Sequence, residues 1–399
     1  MIKREEGFTL VELMITMVTF VLAIAAASGI FTSLLTQFKQ QSKIAETNVE
    51  GIVGLAILKK DIESAGYGLF WSPNPLPVNY TESNANPFNL NDAPNNAPRP
   101  IASENNAAFA PPNNIFDDSD YLVVRSLNVV RQEINEKWTV VSNEFLFPFT
   151  NPLNFNPRKW SLQGEQFLSD NDKVIVFRGA TKAVQRSLVT SGGAFYTTYD
   201  QITLEPWKSE EGKETRLVYG IRNSWDTPPV RPFNRADYYI ARPATIPGRC
   251  APNTGVLYKA TMIHDDKGTF VAMPLLDCVA DMQVLYVLDR NIDQNLETVV
   301  LEYSDSLTFG GLPLTAQEVQ DQLKEVRVYI LAHEGQMDRS YEYPNPTLKY
   351  PRDTDPGAGL GRTFDFAGSI GPDYVFYRWK LYTLAVKPLN LSPRLSLRE

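Results

Sequence analysis

Histidine and cysteine are nearly absent from this chain, with two of each among 399 residues. His264 and His333 cannot form a two-histidine zinc motif of helical spacing, and they are the whole supply of imidazole bases. His264 stands beside Asp265 and Asp266 and reads as part of a surface turn. No Gly-x-Ser-x-Gly or phosphate-loop sequence occurs. Gly357, Gly359 and Gly361 lack the preceding apolar strand and following helix of a dinucleotide site. These absences argue against an enzyme and against a bound cofactor. Cationic surface is also sparse: 38 Lys and Arg face 46 Asp and Glu, the formal net charge is -8, and no basic run appears. Nucleic acid, which is gripped by displacing its counterions, is therefore not an expected partner. Proline is missing before Pro73, so nothing in the first part of the chain breaks a helix.

What is present begins with a short polar leader, Met1 to Gly7, and an apolar run from Phe8 to Phe31 that contains one charge, Glu12. At roughly 1.5 Å per residue the run spans about 36 Å, against a hydrocarbon core of roughly 30 Å. A single membrane-spanning helix over 8–31 is expected. Ala23 to Ser28 lies deep inside the run, unlike the small residues that end a cleaved secretory signal. A carboxylate inside an apolar helix costs about 3 kcal/mol by insertion scales, so Glu12 calls for a partner. The alternatives are that it snorkels to the interface or is protonated.

The segment Gly7-Phe8-Thr9-Leu10-Val11-Glu12 resembles the class III signal of type IV prepilins. That resemblance implies cleavage between Gly7 and Phe8 by the prepilin peptidase and methylation of the new amino group of Phe8. It also implies that Glu12 sets subunit register by pairing with the Phe8 amine of a neighbour. Further segments are similar to the PilW-like group of minor pilins: Asp61 to Gly68, Tyr238-Tyr239-Ile240 leading to Gly255–Ala260, Pro274 to Asp289, and Thr315 to Leu331. The resemblance touches much of the chain outside residues 72–235. It implies a minor pilin that primes a type IV pilus or sits at its tip. Its partners would be other minor pilins, the major pilin and the assembly platform of the bacterial inner membrane. The chain would be a single-pass membrane protein with its body in the periplasm, and later part of the pilus. A J-type pseudopilin of a type II secretion system and a pilus-tip adhesin remain as alternatives.

Beyond the membrane run, residues 37–65 keep a helical pattern, with Ile44, Val49, Ile52, Leu55, Leu58 and Ile62 on one face. Gly66-Tyr67-Gly68 supplies its stop, so one helix of about fifty-five residues is expected, with Gly29, Gly51 and Gly54 as weak points. Residues 71–114 are rich in proline and asparagine and should hold no helix or strand. They read as a long loop laid over the body or as a disordered linker. Strands are expected at 121–125, 138–141, 173–178, 201–204, 216–220, 237–242, 256–260, 282–288, 326–332 and 375–386. A short helix at 315–323 has Thr315 as N-cap and Glu318 three residues on. The fold class is therefore α+β: a long amino-terminal helix carrying a large, mainly antiparallel β body. The organisation expected is leader 1–7, helix 8–66, Pro/Asn-rich loop 67–118 and β-rich body 119–399.

Cys250 and Cys278 would lie in an oxidising compartment if the body is exported, which favours one disulfide over two free thiols. Asp289, Asn291, Asp293, Asn295 and Glu297 alternate oxygen-bearing side chains in the manner of a calcium loop. Gln294 stands where the sharp turn wants glycine, and Val300 where the bidentate glutamate belongs, so a solvated polar hairpin is the competing reading.

Overall fold

The computed structural model describes residues 9–71, 78–83, 90–94, 96–108, 114–142, 168–178, 186–209, 215–264, 268–290 and 301–391. The continuous apolar pattern without proline forms one helix, α1 (Leu10–Glu63), capped by Ser64 and followed by Gly66 at φ +84°, a conformation that ends the helix without a Cβ penalty. In chain order follow β1 (Ile101–Glu104), β2 (Tyr121–Arg125), α2 (Glu133–Glu136), β3 (Trp138–Ser142), β4 (Lys173–Arg178), β5 (Ser187–Leu188), β6 (Thr197–Thr198) and β7 (Thr215–Arg222). Next come β8 (Arg235–Ala241), β9 (Gly255–Met262), β10 (Phe270–Asp289), β11 (Leu301–Ser304), β12 (Thr308–Phe309) and β13 (Leu312–Pro313). The chain closes with α3 (Ala316–Gln322), β14 (Leu323–Glu334), β15 (Thr347–Tyr350), β16 (Arg362–Asp365), α4 (Phe366–Ser369) and β17 (Arg378–Val386).

The main sheet has eight strands in the order β1-β2-β8-β9-β10-β14-β17, with β11 also on β10. A second sheet of five strands runs β3-β7-β4-β5, with β6 on β4. Every strand ladder among the described residues is antiparallel. The architecture is thus α+β, one long apolar helix and a largely antiparallel body. The end of α1 lies on β10, β14 and β17, where Leu58 and Ile62 are fully buried. Each such side chain contributes roughly 1.5 to 3 kcal/mol through apolar burial.

Several local expectations are corrected. The Pro/Asn-rich stretch contains a strand, β1, because Ile101-Ala-Ser-Glu104 follows Pro100, keeps all its N–H donors and pairs with β2. Val78, Tyr80 and Glu82 of the same stretch are buried. Residues 201–204 are not a strand: Tyr199–Thr203 is a 3₁₀ turn with Ile202 buried and Leu204 exposed. A strand would have put those two on one face. The last strand starts at Arg378 because Pro372 opens a 3₁₀ turn over Pro372–Phe376. The helix after Thr315 has the expected capping box, with Glu318 reaching back to the Thr315 amide at 2.8 Å.

Candidate functional site: the amino-terminal helix and its seat on the body

The helix begins with a reciprocal cap. Thr9 Oγ1 accepts from the Glu12 amide at 3.3 Å, and the Glu12 carboxylate accepts from the Thr9 amide at 3.0 Å. Glu12 therefore has a local partner in the first turn, where the helix dipole also favours negative charge. Gly7 and Phe8 lie outside the described residues. Leu10 to Phe38 are exposed along the whole helix circumference, and the helix is long and apolar enough to cross a membrane. Within it, Thr16, Thr19, Thr32 and Thr36 turn their hydroxyls back to carbonyls three or four residues earlier, at 2.9 to 3.1 Å. Hydroxyls satisfied in this way can enter hydrocarbon without an unpaired donor.

The packed face of the stem follows the apolar spacing at Leu55, Leu58 and Ile62 but departs from it at Val49 and Ile52. Val49 and Ile52 face solvent, whereas Gly51, Gly54, Leu55, Leu58, Asp61, Ile62 and Ala65 are buried. Gly54 is a contact point: a Cβ there would stand 2.1 Å from the Leu275 carbonyl oxygen on β10. Its missing side chain lets helix and strand backbones touch. Asp61, one turn before Ala65 on this same face, accepts from the Tyr238 hydroxyl and the Lys259 ammonium, with Arg131 Nη2 3.6 Å from its other oxygen. Burial pushes the Lys259 pKa down and Asp61 opposes it. The spacing 51, 54, 58, 61, 65 was the available signal. It was obscured because it consists of glycines and a carboxylate as well as apolar residues.

A second buried charge cluster had no sequence signature. Glu82 Oε2 receives Arg125 Nη2 at 3.0 Å and Arg235 Nη1 at 2.7 Å, while Oε1 accepts the Asp92 and Ala93 amides at 2.8 and 3.2 Å. Burial alone would raise the Glu82 pKa, but the Arg125 and Arg235 guanidiniums outweigh it and hold it down to about 2. Arg235 continues to Asp237 at 2.7 Å, which accepts from the Tyr121 hydroxyl at 2.5 Å. This cluster fastens the Pro/Asn-rich segment to β2 and β8.

Cys250 and Cys278 are joined in a disulfide. Beside it, His333 is buried, its Nε2 accepting the Ala251 amide at 2.8 Å. His264 is not on a surface turn: it is buried, its Nε2 lies 2.9 Å from Asn234 Oδ1, and its Nδ1 accepts the Val230 amide at 3.3 Å. Adjacent acidic residues suggested solvent, but two fixed partners satisfy the ring and burial drives its pKa well down. Of the calcium candidates, Asp289 ends β10 with Lys324 Nζ at 3.8 Å. Asn291, Asp293, Asn295 and Glu297 lie outside the described residues.

No protein-family model, curated protein or solved structure matches this chain.

Proposed function

We propose that this chain is a minor pilin of the PilW-like kind, which after leader cleavage and methylation primes a type IV pilus or sits at its tip. The carrying observation is the Gly7-to-Glu12 signal immediately followed by one uninterrupted helix, apolar and uncovered from Leu10 to Phe38 and seated on a β body from about Ile44 onward. Such a helix has a membrane-length segment free for lateral packing with other helices, and its far end is rigidly coupled to the exported domain. In assembly, Glu12 would exchange its Thr9 contacts for the Phe8 amine of a neighbour, which restores a charge partner in a low-dielectric environment. This arrangement supports a role in subunit assembly.

Deletion of the gene in its host, with complementation, followed by electron-microscopic counting of surface pili, is the deciding experiment. Loss of fibres restored by the complementing copy supports priming; normal fibres move the reading to a secretion pseudopilus. Replacing Gly7 by a bulky residue should leave the leader attached in the intact mass, and normal cleavage would remove the basis of the proposal.

One observation favours a binding role for the body as a second reading. Trp225 is 80% exposed on a turn whose carbonyls at Asn223, Ser224 and Asp226 accept from the Lys173 ammonium at 2.8 to 3.1 Å. A solvent-facing indole on a turn fixed by these bonds is placed to meet a partner without ordering the backbone beneath it. Trp225→Ala should then reduce attachment of piliated cells without reducing pilus number.

A further inference from the structure

We propose that Cys250, Cys278 and His333 form a zinc site when the disulfide is reduced, so that one locus holds either a disulfide or a metal ion. The three potential ligand atoms lie within 4.8 Å of one another. Tetrahedral zinc holds sulfur and nitrogen ligands about 3.5 to 3.8 Å apart, so a movement of about 1 Å closes the imidazole onto the pair. The sulfurs themselves separate once their bond is broken.

The three residues come from different elements. Cys250 precedes β9, Cys278 is on β10 and His333 is on β14. At Cys278 the β10 backbone is irregular: its register shifts against β9 between Leu276 and Val279, and against β14 between Val279 and Asp281. That stretch is not held by a continuous ladder. His333 is the fixed member, its ring packed 4.6 Å from Tyr377 and 5.2 Å from Trp379.

The imidazole is also held in one orientation, by the Ala251 amide. Because Nε2 accepts the Ala251 amide, its lone pair is aimed at the residue next to Cys250, and the proton is on Nδ1. Zinc would replace the Ala251 N–H at Nε2. Cys250 is partly exposed and provides the entry path, while Cys278 and His333 are buried.

The chemistry balances with a dithiol as reductant. The dithiol transfers two electrons and two protons to the Cys250–Cys278 bond and leaves as a disulfide. Zinc then displaces both thiol protons to solvent and is held by two thiolates and one neutral imidazole, with water in the fourth position. A protein disulfide acting as oxidant takes the two electrons back and two protons from solvent, leaves as a dithiol, and the re-formed Cys250–Cys278 bond releases the ion. The proposal does not depend on the pilin reading.

The test uses the full chain in detergent, reduced with dithiothreitol, desalted without oxygen and titrated with cobalt and then zinc. One equivalent of cobalt should bind to the reduced chain only, with thiolate charge-transfer absorption and the visible bands of a tetrahedral ion, and zinc should displace it. His333→Ala should weaken zinc binding at least about tenfold while its disulfide still forms in air, as read by intact mass. In the wild-type reduced chain, zinc should protect His333 from carbethoxylation, a readout that needs no variant to fold. Absence of stoichiometric cobalt binding after reduction, unchanged affinity in His333→Ala, or unprotected His333 would each overturn the site.

Discussion

Arg235 Nη1 stands 2.7 Å from Glu82 Oε2, with both side chains fully buried, and the bond links residues 153 apart in sequence. It ties a proline-rich segment with little regular structure to the middle of the main sheet. The described residues around Glu82 and Asp92 are thereby fastened to the body, which agrees with the reading of a loop laid over it.

Glu82→Gln keeps the shape and removes the charge that Arg125 and Arg235 share, leaving Asp92 beside Arg125 and Asp237 beside Arg235 in the interior. Breaking one partner of a buried cluster costs about 3 to 5 kcal/mol. Denaturant unfolding of the body should show a loss of that size, and amide exchange at residues 78–83 should accelerate.

The same carboxylate predicts acid sensitivity. Its folded pKa, about 2, lies below the ordinary value near 4.5, so its stabilisation is complete above pH about 4.5 and is lost as pH falls towards 2. The contribution is on the order of 3 kcal/mol. Melting temperatures of wild type should drop across that window, and those of Glu82→Gln should drop less.

Gly54→Ala should destabilise the attachment of the helix, since the added methyl meets the Leu275 carbonyl. A loss of about 1 to 3 kcal/mol is expected. Gly29, where an added methyl would find nothing within 4 Å, is the control: Gly29→Ala should leave the melting of the body unchanged.

Cys250→Ser opens a bridge between residues 28 apart, which should lower stability by roughly 3 kcal/mol in the chain-entropy account. Thermal melting of the oxidised wild type and the variant measures it directly. The difference should vanish when wild type is measured under reducing, metal-free conditions.

Patterns short in sequence were legible in advance. The uninterrupted helix, the Thr315 capping box and most strands rest on hydrophobic period, missing proline and turn residues, which act within a few positions. The reading failed where burial was decided from outside the segment. Val49 and Ile52 look like core residues yet face solvent; His264 looks like a turn residue yet is enclosed by Asn234 and Val230; residues 201–204 have strand composition yet form a 3₁₀ turn.

By itself, then, the sequence determined the long apolar helix, the position of Glu12 in its first turn, the β-rich character of the body and the supply of two cysteines. Tertiary structure decided which stripe of the stem is buried, because close approach at Gly54 and the Asp61 contacts to Tyr238 and Lys259 orient α1 on the sheet. It also decided that Glu82 is a buried anion and that His333 stands beside the Cys250–Cys278 bond. Local propensity is a sum over neighbours in sequence, whereas desolvation and charge pairing depend on groups brought together from 43 to 198 residues apart, and no short window along the chain contains them.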